Sequence, residues 1–283
     1  MNNNKTEKII VHGGIGVIEG NLENKIKIRK ALIEIVDKSY QCLKANGSYE
    51  AVLFGVRLLE DNPLFNAGTG SRLQSDGIIR MSASFMSSKT LKFSGVVNIQ
   101  DVEHPIDVAE KLQYNDCRVL AGKEANNFAR SNGFPKHNPI TDFRYNEYKT
   151  NHRGKTGTVG VVAIDKENHI VAATSTGGKG GELPGRVSDT PTVAGNYLSE
   201  NVGISTTGIG EDIVDAAVAS RIVAMVDTGI SFADATKSVL DKSRLKNQEY
   251  GVIGIDSNGD IIADQTSGEL YYAHCSEKGI HHF

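Results

Sequence analysis

The spacing of apolar residues changes along this chain, from helical periods in the first half to short strand-like runs in the second. Lys8-Ile-Ile-Val-His12 is an apolar run closed by Gly13-Gly14, which predicts a first buried strand. Over 22–45, apolar side chains return at helical spacing at Ile28, Leu32, Ile35, Val36 and Leu43, and the pattern stops at Gly47, a residue suited to a helix C-cap. Ser48 is placed to cap a second helix reaching about Asp61, where Asn62-Pro63 ends it. Residues 105–131 read as helical in two pieces. Residues 133–157 are polar, carry neither period, and predict a mobile linker. From Thr158 the strand pattern takes over. Residues 158–165 and 169–175 predict a hairpin, 202–207 a further strand, and 250–256 with 260–264 a second hairpin turned by Asn258-Gly259. Between them, 212–227 and 231–245 predict two helices. Hairpins in place of strict βαβ alternation favour antiparallel sheets covered by helices over a doubly wound parallel sheet.

Composition narrows the class. A chain of 283 residues can bury a sizeable core as one large domain or two small ones, and 23% charged with 39% hydrophobic residues is ordinary for a globular protein. The formal net charge is −3 and no basic block occurs, so neither nucleic acid nor a membrane surface is an expected partner. Apolar runs such as Val159–Ile164 are too short to span a bilayer, and the polar opening from Met1 to Lys8 predicts no secretory leader. Cys42, Cys117 and Cys275 are odd in number and far apart, which suits reduced thiols in a cytoplasm and excludes a paired-cysteine zinc or redox site. Glycine is the unusual figure, 30 against 6 prolines, clustered at Gly13–Gly16, Gly68–Gly70, Gly177–Gly185 and Gly208–Gly210. Such clusters let backbone pass close to a ligand or another strand. Neither phosphate motif is complete. The third glycine of a dinucleotide fingerprint opening at Gly14 falls on Glu19, and the first glycine of a P-loop ending Gly154-Lys155-Thr156 falls on Lys149.

The candidate chemistry lies in Gly157-Thr158-Val159-Gly160, where the polar segment meets the first strand of the β-rich half. A cut before Thr158 would leave a hydroxyl nucleophile and an α-amine on one residue. That amine titrates near about 7.7–8.0, so at neutral pH a useful fraction is free to take the hydroxyl proton. Gly157 tolerates the backbone bend that brings its carbonyl to the hydroxyl. His12, at a strand end beside a glycine loop, is the histidine that could serve as base instead.

Four segments share one resemblance: Asn62-Pro-Leu-Phe-Asn-Ala-Gly68, Thr174-Ser-Thr-Gly-Gly178, Leu183-Pro-Gly-Arg-Val-Ser-Asp189-Thr-Pro191 and Thr206-Thr-Gly-Ile-Gly-Glu211. With His12-Gly-Gly-Ile-Gly16 and Arg57-Leu-Leu-Glu-Asp61, they resemble the isoaspartyl peptidase and plant-type asparaginase family of N-terminal-nucleophile hydrolases, in its order and near its spacing, from about Ile9 to Ala273. The resemblance implies a single α+β domain over 1–283, a four-layer αββα sandwich with two mainly antiparallel sheets between helical layers. It implies self-cleavage between Gly157 and Thr158 into an α-subunit, 1–157, and a β-subunit, 158–283, which assemble as a homodimer of αβ units. Thr158 matches the nucleophile, Thr176 a second threonine beside it, and Thr207 with the Gly208 N–H the oxyanion hole. Arg186 and Asp189 match the grip on the substrate's α-carboxylate and α-ammonium, a pairing that charge and geometry also favour unaided. Gly210 matches a backbone contact to the same group, and Asn66 a residue near the nucleophile. The carbonyls of Leu59, Glu60, Phe65, Ala67 and Thr69 match a loop that holds a structural sodium ion; no other cofactor is implied.

The implied substrates are β-aspartyl dipeptides first and free asparagine second. Rival readings are a glycosylasparaginase, a threonine endopeptidase, or an uncleaved relative serving as a scaffold. The chain departs from the family pattern at Lys179-Gly-Gly-Glu182, at Ser82–Ser88, where two acids and a glycine are lost, at Cys117, and in the rather short Gly133–Gly157 segment.

Overall fold

A computed structural model describes residues 7–16, 22–150 and 157–283. The larger of two sheets runs, in spatial order, β12 (Gly279–His282), β11 (Glu269–Ser276), β1 (Lys8–Gly16), β5 (Val159–Ile164), β6 (Ile170–Thr176), β2 (Met81–Ser87), β3 (Lys92–Ile99) and β4 (Val119–Ala121). The smaller runs β10 (Ile261–Gln265), β9 (Tyr250–Asp256), β8 (Val202–Gly208) and β7 (Asn196–Leu198). Every neighbouring pair is antiparallel except β3 with β4.

Three apolar clusters record the layering. One lies between the larger sheet and helices α1 (Leu22–Asp61), α2 (Pro105–Lys111) and α3 (Gly122–Ser131). A second lies between the sheets, and a third between the smaller sheet and α5 (Gly210–Ala216), α6 (Val218–Asp227) and α7 (Phe232–Arg244). Three interfaces make four layers, the αββα sandwich that the resemblance implies. Strand pleating assigns side chains to them alternately. Val159, Val161, Val171 and Ala173 face the first helical layer, whereas Val162, Ile164, Ile170 and Ala172 face the other sheet. Because both faces are covered, these strands read as continuous apolar runs.

Local breaks refine the predicted elements. The helix over 22–61 is interrupted at Gly47, with φ 83° and ψ 178°. Ser48 does begin the second segment, but its hydroxyl donates to Asp165 at 2.9 Å, and it is that carboxylate that accepts the Ser48 amide at 3.3 Å. The helix expected over 212–227 is broken at Ala217, which is left-handed with φ 48°. Strand β4 interrupts the helical stretch expected over 105–131. The segment 133–157, expected as a linker without regular structure, carries helix α4 (Asp142–Lys149). Thr141 caps it by accepting the Arg144 amide at 3.2 Å, and Arg144 Nε donates to the Gly70 carbonyl at 2.6 Å. Eight mostly polar residues are too few to display a period. Residues 151–156 of that segment lie outside the described residues.

Candidate active site

Strand parity builds the site. On β5 and the residue that leads into it the positions facing the other sheet are 158, 160, 162 and 164; on β6 they are 170, 172, 174 and 176; on β8 they are 203, 205 and 207. Apolar side chains fill the middle of this inter-sheet layer, and at one end the same parity turns polar. The Thr158 hydroxyl donates to that of Thr176 at 3.2 Å, and the Thr207 hydroxyl donates to the Thr158 carbonyl at 3.4 Å. All three threonines are buried. The Gly178 amide bonds the Thr176 hydroxyl at 3.1 Å, tying a glycine loop to the pair.

One step deeper, His12 Nε2 lies 2.9 Å from the Ser205 hydroxyl, which lies 2.7 Å from that of Thr174. Gly160 makes room for this network, since a Cβ there would stand 2.0 Å from Ser205 Oγ and 2.5 Å from His12 Nε2. Burial pushes the His12 pKa down to about 3, and a hydrogen bond with the Thr158 backbone offsets this only in part. His12 is therefore neutral at ordinary pH.

Asn66 backs Gly157. A Cβ on Gly157, whose φ is 156°, would approach Asn66 Cβ to 2.6 Å, a contact that excludes larger residues. Asn66 also donates to the Gly178 carbonyl, and its own carbonyl accepts the Gly177 amide at 2.8 Å.

Arg186 and Asp189 come together at Gly210, where an added Cβ would lie 2.6 Å from Arg186 Nη2 and 2.8 Å from Asp189 Oδ1. They are not a surface ion pair. Asp189 is 2% exposed, and burial raises its pKa to about 6 against the pull of the Arg186 guanidinium and the Thr206 hydroxyl. Arg186 Nη1 donates to Glu182 at 2.8 Å, while Nε and Nη2 donate to Glu211 at 2.8 and 3.0 Å. Burial alone would lower its pKa; Glu211 and Glu182 outweigh it and hold the guanidinium above its usual value.

A hydroxyl beside a second hydroxyl, a donor to the Thr158 carbonyl, and a buried anion beside a part-buried cation can together hold and attack the amide of a small zwitterion. A sequence model of the asparaginase family matches residues 5–156 and 147–283. The chain is 39% identical over 291 residues to an isoaspartyl peptidase/L-asparaginase of Synechocystis, covering 95% of this chain and 88% of that protein. It is 35% identical over 295 residues to a plant-type L-asparaginase of Pyrococcus abyssi, with 95% and 96% covered. Against an isoaspartyl peptidase of Escherichia coli the identity is 33% over 293 residues, with 94% and 91% covered. The chain belongs to the asparaginase family. These relatives bear enzyme names, so the scaffold reading is not favoured.

Within this asparaginase-family site, the sequence reading left two side chains without a role. Glu211 lay inside a quoted motif and Glu182 inside a noted departure, but their convergence on Arg186 depends on loop folding. Backbone carbonyls of the Leu59–Thr69 loop are the oxygen donors that a hard cation takes. Leu59, Glu60, Phe65 and Ala67 are buried, and carbonyls at a helix end lack intrahelical partners. The Glu60 carbonyl accepts the Thr69 amide at 2.8 Å, which ties the helix end to the far end of the loop.

Proposed function

We propose that this asparaginase-family protein is a self-processing amidohydrolase that cleaves β-aspartyl dipeptides and, more weakly, L-asparagine, using Thr158 as an N-terminal nucleophile. Cleavage after Gly157 separates 1–157 from 158–283 and frees the Thr158 amine. The amine takes the hydroxyl proton, and the oxygen attacks the substrate's side-chain carbonyl. Thr176 stabilises the attacking oxygen, and the Thr207 hydroxyl with the Gly208 N–H holds the developing oxyanion. The C–N bond breaks as the amine's proton passes to the leaving nitrogen, releasing ammonia or an amino acid and leaving an aspartyl ester on Thr158. Water, deprotonated by the same amine, hydrolyses that ester to L-aspartate and restores the hydroxyl. Arg186 takes the substrate's α-carboxylate, Asp189 its α-ammonium, and the Gly210 backbone the same end of the molecule.

The observation that carries this reading is the 3.2 Å contact between the buried hydroxyls of Thr158 and Thr176. A denaturing gel tests it: two fragments are expected, the smaller beginning Thr-Val-Gly-Val, with one intact and inactive chain in Thr158→Ala. Any other start for the smaller fragment sinks the assignment.

Sodium held by the carbonyls of Leu59, Glu60, Phe65, Ala67 and Thr69 would supply positive charge that stiffens the loop bearing Asn66. A lower Tm in choline than in sodium buffer supports it, and equal values remove it. We assign the cytoplasm as the compartment, on the three free cysteines; disulfide-linked chains in protein taken directly from its cells would overturn that.

A further inference from the structure

Arg186 is the cation assigned above to the substrate's α-carboxylate, yet carboxylates already occupy its fork. Two glutamates do so, and they are held very differently. The Glu182 side chain is 3% exposed, accepts from Gln74 Nε2 at 2.9 Å and from the Lys179 amide at 3.1 Å, and takes only Arg186 Nη1. Glu211 covers the Nε and Nη2 edge with both oxygens, and its side chain is 53% exposed. The next cation to Glu211 is Lys179, with Nζ 3.9 Å away and a side chain 46% exposed. Lys179 follows Gly178 in the chain, whose amide bonds the Thr176 hydroxyl.

An arginine edge pairs with one carboxylate in bidentate fashion. Asp189 Oδ1 and Arg186 Nη2 both border Gly210, at 2.8 and 2.6 Å from an added Cβ there, which puts the anion near the Nη2 end of that edge. A ligand whose ammonium rests on Asp189 therefore brings its carboxylate to the corner that Glu211 holds.

We propose that Glu211 is a displaceable counter-ion of Arg186, which yields the fork to a ligand carrying a carboxylate beside an ammonium and moves to Lys179. This rests on the functional reading above and says how that site selects its ligand. A lone carboxylate only replaces one carboxylate with another. An α-amino acid adds the ammonium contact with Asp189, and that addition drives the exchange. Lys179, part of this chain's departure from the family pattern, makes the exchange easier by offering Glu211 a second partner.

Steady-state kinetics with L-asparagine and a β-aspartyl dipeptide, with succinate as an amine-free competitor, test this in Glu211→Gln, Lys179→Met and the double variant. Both side chains are about half exposed, so neither change removes core packing. Glu211→Gln is expected to lower KM roughly two- to tenfold with a smaller change in kcat, and to tighten succinate inhibition by a similar factor. Lys179→Met is expected to raise KM about two- to fivefold alone and to have no effect in the Glu211→Gln background. An unchanged or raised KM in Glu211→Gln overturns the proposal and leaves Glu211 a fixed support of Arg186. An equal effect of Lys179→Met in both backgrounds also overturns it, because Lys179 would then act without Glu211. If the wild-type protein hydrolyses neither substrate, the functional reading itself fails, and the counter-ion role fails with it.

Discussion

Burial moves the proton affinities of His12 and Asp189 in opposite directions, and the pH dependence of activity should separate their roles. At about 3, His12 does not titrate where the enzyme would work; at about 6, Asp189 does. A freed Thr158 amine titrates near about 7.7–8.0, and Arg186, already paired with two glutamates, lowers that only slightly. The proposed mechanism needs the amine neutral and Asp189 ionised, so kcat/KM should rise with pH, and this parameter reports groups of the free enzyme. On a substrate of fixed charge, log kcat/KM is expected to climb with slope one from about pH 6 to 7.5 and with slope two below about 6. His12→Gln should retain the upper limb. Loss of that limb in folded, cleaved His12→Gln would return the histidine to the role of base, and slope one throughout would remove Asp189 from the ammonium contact. Sequence could nominate Thr158, because a hydroxyl after glycine at a strand start is a local feature. It could not grade His12 against the amine, since burial comes from strands distant in the chain.

At the scale of elements, helix α1 shows how a correct boundary can have an unforeseen cause. The break at Gly47 and restart at Ser48 were legible, but the cap is the Asp165 carboxylate from the β5–β6 turn. Asp165 also accepts the amides of Glu167 and His169, each at 3.0 Å, so one side chain holds a helix N-terminus and a hairpin together. Burial alone would raise its pKa; bonds from the His169 amide and from Ser48 outweigh it and keep the carboxyl below its usual value. A depressed carboxyl stabilises the fold above its unfolded pKa, about 3.9, and loses that contribution as pH falls through the folded value. Asp165→Ala is accordingly expected to cost about 1.5–3 kcal/mol at pH 7 by denaturant unfolding, and clearly less below about pH 4. A penalty independent of pH would mean that packing, not the charge, is what was lost.

For the whole molecule, the proposed cut falls in a chain whose two parts are interleaved. In the larger sheet β1 lies between β11 and β5, and β6 lies between β5 and β2, so each side of Thr158 supplies strands to the other. The fragments should co-elute on native size exclusion and part only in denaturant; separate peaks would contradict that pairing. The same run tests the homodimer of αβ units, which predicts a mass of two full chains. What the sequence alone determined was local: the hairpins after Thr158, the helices before Asp61, the Gly157–Thr158 junction, and the motifs that announce the family. Strands β2 and β3 escaped it because Ser82, Ser84, Ser87 and Ser94 are buried polar residues, and Ser84 and Ser94 find acceptors in the carbonyls of Thr190 and Ala109 at 2.6 Å. Only the tertiary structure decided that Thr158, Thr176 and Thr207 share one face, and that Glu182 and Glu211 converge on Arg186. Those contacts join distant or loop-borne residues, and their energy depends on burial and hydrogen-bond geometry that no local period encodes.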